Sequence, residues 1–164
     1  AAKLHRRGET IPDPLPPMGV MIEVPGAALA ADAFAQASDF FAIGSNDLTM
    51  YTLAIDRGNE HVAHLFDPLH PGVLRLIQFT ATAALRARIP VSICGEMAGD
   101  PRYSALLLGL GIRDLSMTPS SIPRVKQRIR EMDMDAANRR AGVIMDQVDS
   151  GRIATLLDDF NALA

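Results

Sequence analysis

Short apolar runs alternate along this chain with stretches of helical spacing, and each run exits on a polar residue. The first run is Gly19-Val20-Met21-Ile22-Glu23-Val24, interrupted near its end by one carboxylate and closed by Pro25. This is the profile of a strand buried on both faces with a functional group at its exit. Ala27 to Ala37 is alanine-rich, breaks near Ser38 and predicts a helix. Asp39 to Gly44 reads as a second buried strand, leading into Ser45-Asn46-Asp47. An irregular stretch dense in Gly, Asn, His and Pro runs from Asp56 to Pro71, and helical spacing resumes from Gly72 to Arg88. Pro90 to Cys94 is a third strand ending at Gly95-Glu96, followed by a helix from Arg102 to Leu110 with Gly111 as its cap. Arg113 to Met117 is a fourth strand. Ser120 or Ser121 could cap the helix after it, with Pro123 in the first turn. From Ala136 to Ala164 the pattern gives two further short helices divided near Ser150-Gly151.

Four strand–helix units with short connections predict an α/β fold on a parallel sheet. Such a set is half of an eight-fold barrel or most of a small doubly wound sheet, and periodicity does not choose between them. No Gly-x-Gly-x-x-Gly turn follows the first strand, so nothing supports a dinucleotide site. The 164 residues suffice for one domain and fall short of a complete α/β barrel. A formal charge of -3, with basic residues scattered or interleaved with Glu131, Asp133 and Asp135, argues against nucleic acid. A lone Cys94 excludes an internal disulfide and predicts a reducing, cytoplasmic setting. No apolar run is long enough to span a membrane. The start Ala1-Ala2-Lys3, without Met, reads as a segment of a longer protein.

In a parallel α/β fold the strand exits share one face, the face where active sites are built. Glu23, Asn46, Asp47 and Cys94 all fall there, so Glu23 and Asp47 could converge despite their separation in sequence. Two carboxylates, with water and substrate oxygens completing the shell, suit Mg²⁺. Arg57 sits on a loop, where its planar fork could clamp a phosphate or carboxylate. Cys94 could transfer a proton if its thiol is exposed. Each has a plainer reading. Cys94 could be an inert core thiol, Asp47 a helix cap and Arg57 half of a surface ion pair. Glu23 resists such a reading, because an unpaired buried carboxylate is costly. His61 and His64 lack a third ligand, and His70, between Pro68 and Pro71, reads as a turn residue.

The runs Gly19 to Pro25, Ile43-Gly44-Ser45-Asn46-Asp47-Leu48-Thr49 and Cys94-Gly95-Glu96-Met97-Ala98-Gly99-Asp100 resemble those of the phosphoenolpyruvate-utilising enzymes. That group includes Enzyme I of the bacterial phosphotransferase system, pyruvate phosphate dikinase and phosphoenolpyruvate synthase. Tyr51 to Asn59, Asp67 to Pro71 and Ser116 to Arg124 are similar to Enzyme I in particular. The resemblance implies the second half of a TIM (βα)₈ barrel over residues 1–132, with 133–164 as a helical tail that adds nothing to it. It implies Glu23 and Asp47 as Mg²⁺ ligands, Asn46, Asp47 and Arg57 at the substrate, and Cys94 as the residue exchanging a proton with carbon 3 of the pyruvate enolate. Its substrate pair is phosphoenolpyruvate and pyruvate. The phosphoryl group then goes to a histidine of a separate N-terminal domain, and through that region to the phosphocarrier protein HPr. None of His5, His61, His64 or His70 has the setting of that histidine, so autophosphorylation by this polypeptide alone is not expected. Met50 stands where the family usually has Gln, a change in the loop that removes no proposed ligand.

Half a barrel would leave two open sheet edges, so self-association is expected, and the family's barrel is also its dimerisation domain. Three other readings compete. One is the same barrel from a paralogue or a fused multi-domain phosphotransferase. Another is a non-catalytic half-barrel serving as an interaction module. The third is a metal-dependent lyase or aldolase barrel acting on pyruvate without phosphate.

Overall fold

The computed structural model describes residues 2–162. A short helix α1 (Ala2–His5) precedes strand β1 (Gly19–Ile22), which leads to helices α2 (Pro25–Leu29) and α3 (Ala31–Phe34). Strand β2 (Phe40–Gly44) runs directly into α4 (Ser45–Leu53), and a long connection reaches α5 (Pro71–Ala87). Strand β3 (Val91–Cys94) is followed by α6 (Glu96–Gly99) and α7 (Pro101–Gly109), and strand β4 (Asp114–Ser116) by α8 (Ile122–Arg130). Helices α9 (Met134–Met145) and α10 (Ser150–Ala162) complete the described chain. No described helix is long and apolar enough to cross a membrane.

The four strands are all parallel and lie in the order β1-β2-β3-β4. Every crossover therefore moves one place in the same direction, and the right-handed rule puts the crossover helices on one side. A doubly wound sheet would reverse direction at a switch point. This one does not, so its build is that of a stretch of (βα)₈ wall, open at both edges.

The register explains which side is covered. Ile22, Ile43, Ile93 and Leu115 are aligned across the sheet, and the three isoleucines are fully buried beneath the helices. Burying each of them stabilises the fold by about 1.5–3 kcal/mol. The neighbouring row, Met21, Ala42, Ser92 and Asp114, points to the other side. Met21 is 47% exposed there, so β1 alternates instead of being buried on both faces as its apolar run predicts. That second face is the one that would line a barrel's interior, and it carries the polar residues.

Helix α5 is the backbone of the covered layer. Val73, Leu74, Ile77, Ala81 and Ala84 form its buried stripe. His70 does more than turn the chain, since its Nδ1 accepts the Gly72 amide at 3.1 Å and caps this helix, with Pro71 in the first turn. The predicted single helix from Ala27 to Ala37 is divided at Ala30 (φ -95°, ψ 12°). The division lets Ala28 and Ala31, on separate helices, both bury against α5. Propensity reads an alanine run as one helix, and packing overrides it.

Two local expectations also change. Met50 lies inside α4 rather than in a loop. Ser121 occupies the N-cap position of α8, but its hydroxyl accepts from Thr118 Oγ1 at 3.3 Å and caps nothing. Helices α9 and α10 pack against α7, where Ala137, Ala141, Ile153, Leu157 and Phe160 are buried.

Candidate active site

At the C-terminal ends of the strands, Gly44, Cys94 and Ser116 are aligned across the sheet. Glu23 is the first residue beyond β1, next to this row. A Cβ on Gly44 would lie 2.9 Å from Glu23 Oε2, so the glycine leaves the room in which that carboxylate lies. Cys94 shares a face with Ser92, and its thiol makes a long 3.5 Å contact to the Ile43 carbonyl. Burial pushes the thiol pKa up, and the charges of Glu23 and then Asp47 raise it further, against a smaller lowering by a backbone hydrogen bond. The two carboxylates, 24 residues apart in sequence, thus act on one sulfur. Burial first, and these charges second, favour the protonated thiol, which is suited to giving up a proton rather than to attacking as a thiolate.

The first turn of α4 is stitched to the exit of β3. Ser45 Oγ donates to the Cys94 carbonyl at 2.6 Å, and Asn46 Oδ1 accepts the Glu96 amide at 3.2 Å. Gly95 makes this close approach feasible. Its φ is +95°, and a Cβ there would sit 2.6 Å from Ser45 Oγ and 2.9 Å from Asn46 Oδ1. Asp47 lies in that same first turn, where the helix dipole favours a negative charge. It is not the cap, a position held by Gly44.

Arg57 sits on the long connection after α4. Three Asx-type bonds shape this loop: Asp56 Oδ1 accepts the Gly58 amide at 2.8 Å, Asn59 Oδ1 that of His61 at 3.0 Å, and Asp67 Oδ1 that of Leu69 at 2.9 Å. The run of Asp and Asn residues is therefore structural. It presents Arg57, whose Nη1 donates to Glu96 Oε1 at 2.9 Å and whose guanidinium lies 5.9 Å from the Phe66 ring centre.

An open cleft of about 800 Å³ lies at this mouth. Asn46, Phe66, Cys94 and Glu96 line it, together with Tyr103, Ser116, Thr118, Ser121 and Arg124, whereas Glu23, Asp47 and Arg57 stand outside its walls. Glu96, Tyr103, Ser116 and Arg124 line the mouth in addition to the residues expected from the sequence. Glu96 had a signal in its position directly after Cys94-Gly95. Arg124 was obscured by the basic run of α8, which reads as a solvated face.

Among the described residues no three His, Cys, Asp or Glu side chains gather so as to hold a metal ion, and His61 and His64 are exposed and apart from the mouth cluster. Glu23 and Asp47 remain as two hard oxygen donors beside one thiol. That set fits Mg²⁺, which is usually held by one or two carboxylates and completes its shell with water and phosphate oxygens.

Known proteins resemble this chain over most of its length. Residues 1–134 match the family described as PEP-utilising enzyme, PEP-binding domain. The phosphoenolpyruvate-protein phosphotransferase of Cupriavidus necator is 51% identical over 146 residues, 89% of this chain and 24% of that protein. The protein of that name from Haloferax volcanii is 43% identical over 157 residues, 96% of this chain and 27% of its own length. The multiphosphoryl transfer protein of Xanthomonas campestris is 51% identical over 125 residues, 76% of this chain and 15% of the relative. The chain thus spans about a quarter or less of the curated relatives it matches.

Proposed function

This chain belongs to the PEP-utilising enzymes through their PEP-binding domain, and from that premise we propose that it forms part of the substrate site of a phosphoenolpyruvate-protein phosphotransferase. The observation that carries the reading is the gathering of Glu23, Asp47 and Cys94 around Gly44 at one row of strand ends: Glu23 lies against Gly44, Cys94 is aligned with it, and Asp47 is in the first turn of the helix that follows it. Glu23 and Asp47 would hold Mg²⁺, which when bound draws negative charge from a phosphate and the adjoining enolate. Arg57 and the amide of Asn46 bind and orient the phosphate. The Cys94 Sγ proton passes to carbon 3 of the enolate once the phosphoryl group has left, giving pyruvate. Phosphoryl acceptance belongs to a histidine outside this chain, with the phosphocarrier HPr beyond it, and the setting is cytoplasmic. The exposed edges of β1 and β4 support a homodimer built through this region.

The test is thermal melting with Mg²⁺ and phosphoenolpyruvate. Ligand at a hundred times its dissociation constant adds roughly 2.7 kcal/mol, a rise of about 5–10 °C at this size. The rise is expected to need the metal and to vanish in Glu23→Ala and Asp47→Ala. A shift that persists in both variants, or that phosphoenolpyruvate gives without metal, would remove the reading. Light scattering that finds only monomer would remove the dimer.

A further inference from the structure

Glu96 is bonded at both ends to residues assigned to the phosphate. Its carboxylate accepts Arg57 Nη1 at 2.9 Å, across 39 residues of sequence, and its backbone amide donates to Asn46 Oδ1 at 3.2 Å. The side chain is 73% exposed, so no packing need holds it where it is, and the ion pair rather than burial sets its direction. Arg57 has no other ion pair among the described residues, and Phe66 supports the guanidinium from a second side. A free arginine on a loop loses rotamer entropy when it is ordered. Ordering it beforehand removes part of that cost from the ligand's binding. The amide bond to Asn46 Oδ1 has a matching effect, because with the oxygen engaged the Nδ2 group is left as the donor available to an anion.

We propose that Glu96 is a positioning residue of this site: its carboxylate occupies Arg57 as a stand-in anion until a phosphate displaces it, and its amide orients Asn46. The inference rests on the phosphoenolpyruvate reading above. The two roles of the side chain oppose each other. As an acceptor it keeps Arg57 in place, which aids binding. As a charge it competes with the incoming phosphate, which weakens binding.

Glu96→Gln separates these roles, since the amide oxygen still accepts from Nη1 while the charge is gone. Phosphoenolpyruvate titrated with Mg²⁺ into the full chain is expected to bind Glu96→Gln about two- to five-fold more tightly than the unaltered protein, the scale of an exposed charge pair. The gain shrinks as ionic strength rises. Glu96→Ala, without acceptor or charge, binds more weakly than Glu96→Gln, at an unchanged melting temperature. Weaker binding by Glu96→Gln, or equal binding by all three proteins, overturns the role of Glu96. If the unaltered protein binds and Arg57→Ala does not, those outcomes leave the phosphoenolpyruvate reading standing and remove Glu96 alone. If the unaltered protein binds no phosphoenolpyruvate, both fall.

Discussion

Among the described residues two hydrogen-bonded arginine–carboxylate pairs join distant parts of this chain, and they are built differently. At the mouth, Arg57 meets Glu96 through one nitrogen at 2.9 Å, on a loop beside an open cleft. On the outer side, Arg102 of α7 meets Asp158 of α10 through two, with Nε to Oδ1 at 2.7 Å and Nη2 to Oδ2 at 3.0 Å. The second pair has support around it. Asn161 donates to the Arg102 carbonyl at 3.0 Å and accepts from Arg128 of α8 at 2.9 Å, so α10 ties α7 and α8 together. A fork engaged at both prongs and backed by a network resists exchange, while a single bond to an exposed carboxylate gives way to a stronger anion. The tail is fastened, and the mouth is held ready.

If that contrast holds, the largest effect comes from the apolar side of the tail. Leu157 is fully buried, so Leu157→Ala is expected to cost about 3 kcal/mol in denaturant unfolding, with ligand affinity unchanged in whatever fraction remains folded. Next comes the fork itself. Arg102→Ala is expected to lower the melting temperature by about 2–4 °C, whereas Arg57→Ala leaves it within experimental scatter. Equal shifts for the two would erase the distinction between fastened and ready.

The acid limb sharpens it further. The hydrogen bond from Arg102 lowers the pKa of Asp158, so the contribution of this carboxylate is complete above its unfolded value of about 3.9 and is lost as pH falls through the lower folded value. The stability gap between the unaltered protein and Asp158→Asn is therefore expected to be flat above about pH 5 and to close below about pH 4. A gap that persists under acid would mean that the pair is not what holds the tail.

The smallest expected change is at the thiol. Cys94 should react slowly with iodoacetamide at neutral pH, and Glu23→Gln or Asp47→Asn should speed the reaction a few-fold at most. Burial, the larger cause of the raised pKa, remains in both variants. A large acceleration would mean that charge, not burial, governs this sulfur.

These contrasts mark where the sequence is legible. The runs that became β1 to β4, and the apolar stripe of α5, could be read because one face of each is buried and burial leaves a period. Glu23, Asn46, Asp47 and Cys94 could be placed at one mouth, since parallel strands share their C-terminal ends. Helix α4 showed only in the reading of Asp47 as a cap, and its extent was hidden. Its buried Thr49 and its Thr52 bond back to the Ser45 and Leu48 carbonyls, and β-branched polar residues give little helical signal. The open face of β1 was hidden as well, because Met21 is apolar wherever it points. Arg57 could be read as half of an ion pair, but neither its partner Glu96 nor the Arg102–Asp158 pair could, for a charge pair across 39 or 56 residues leaves no periodic trace.

The strand order has one more consequence. Because each strand lies beside its predecessor, none has to insert between two others already paired. The sheet can grow like a zip from β1 as the chain lengthens, closing one crossover at a time and avoiding the entropic cost of very long loops. Along the chain the parts of the mouth follow the same order, with Glu23 first, the α4 turn second and Cys94 third. The thiol meets its two carboxylates only when the third tooth engages.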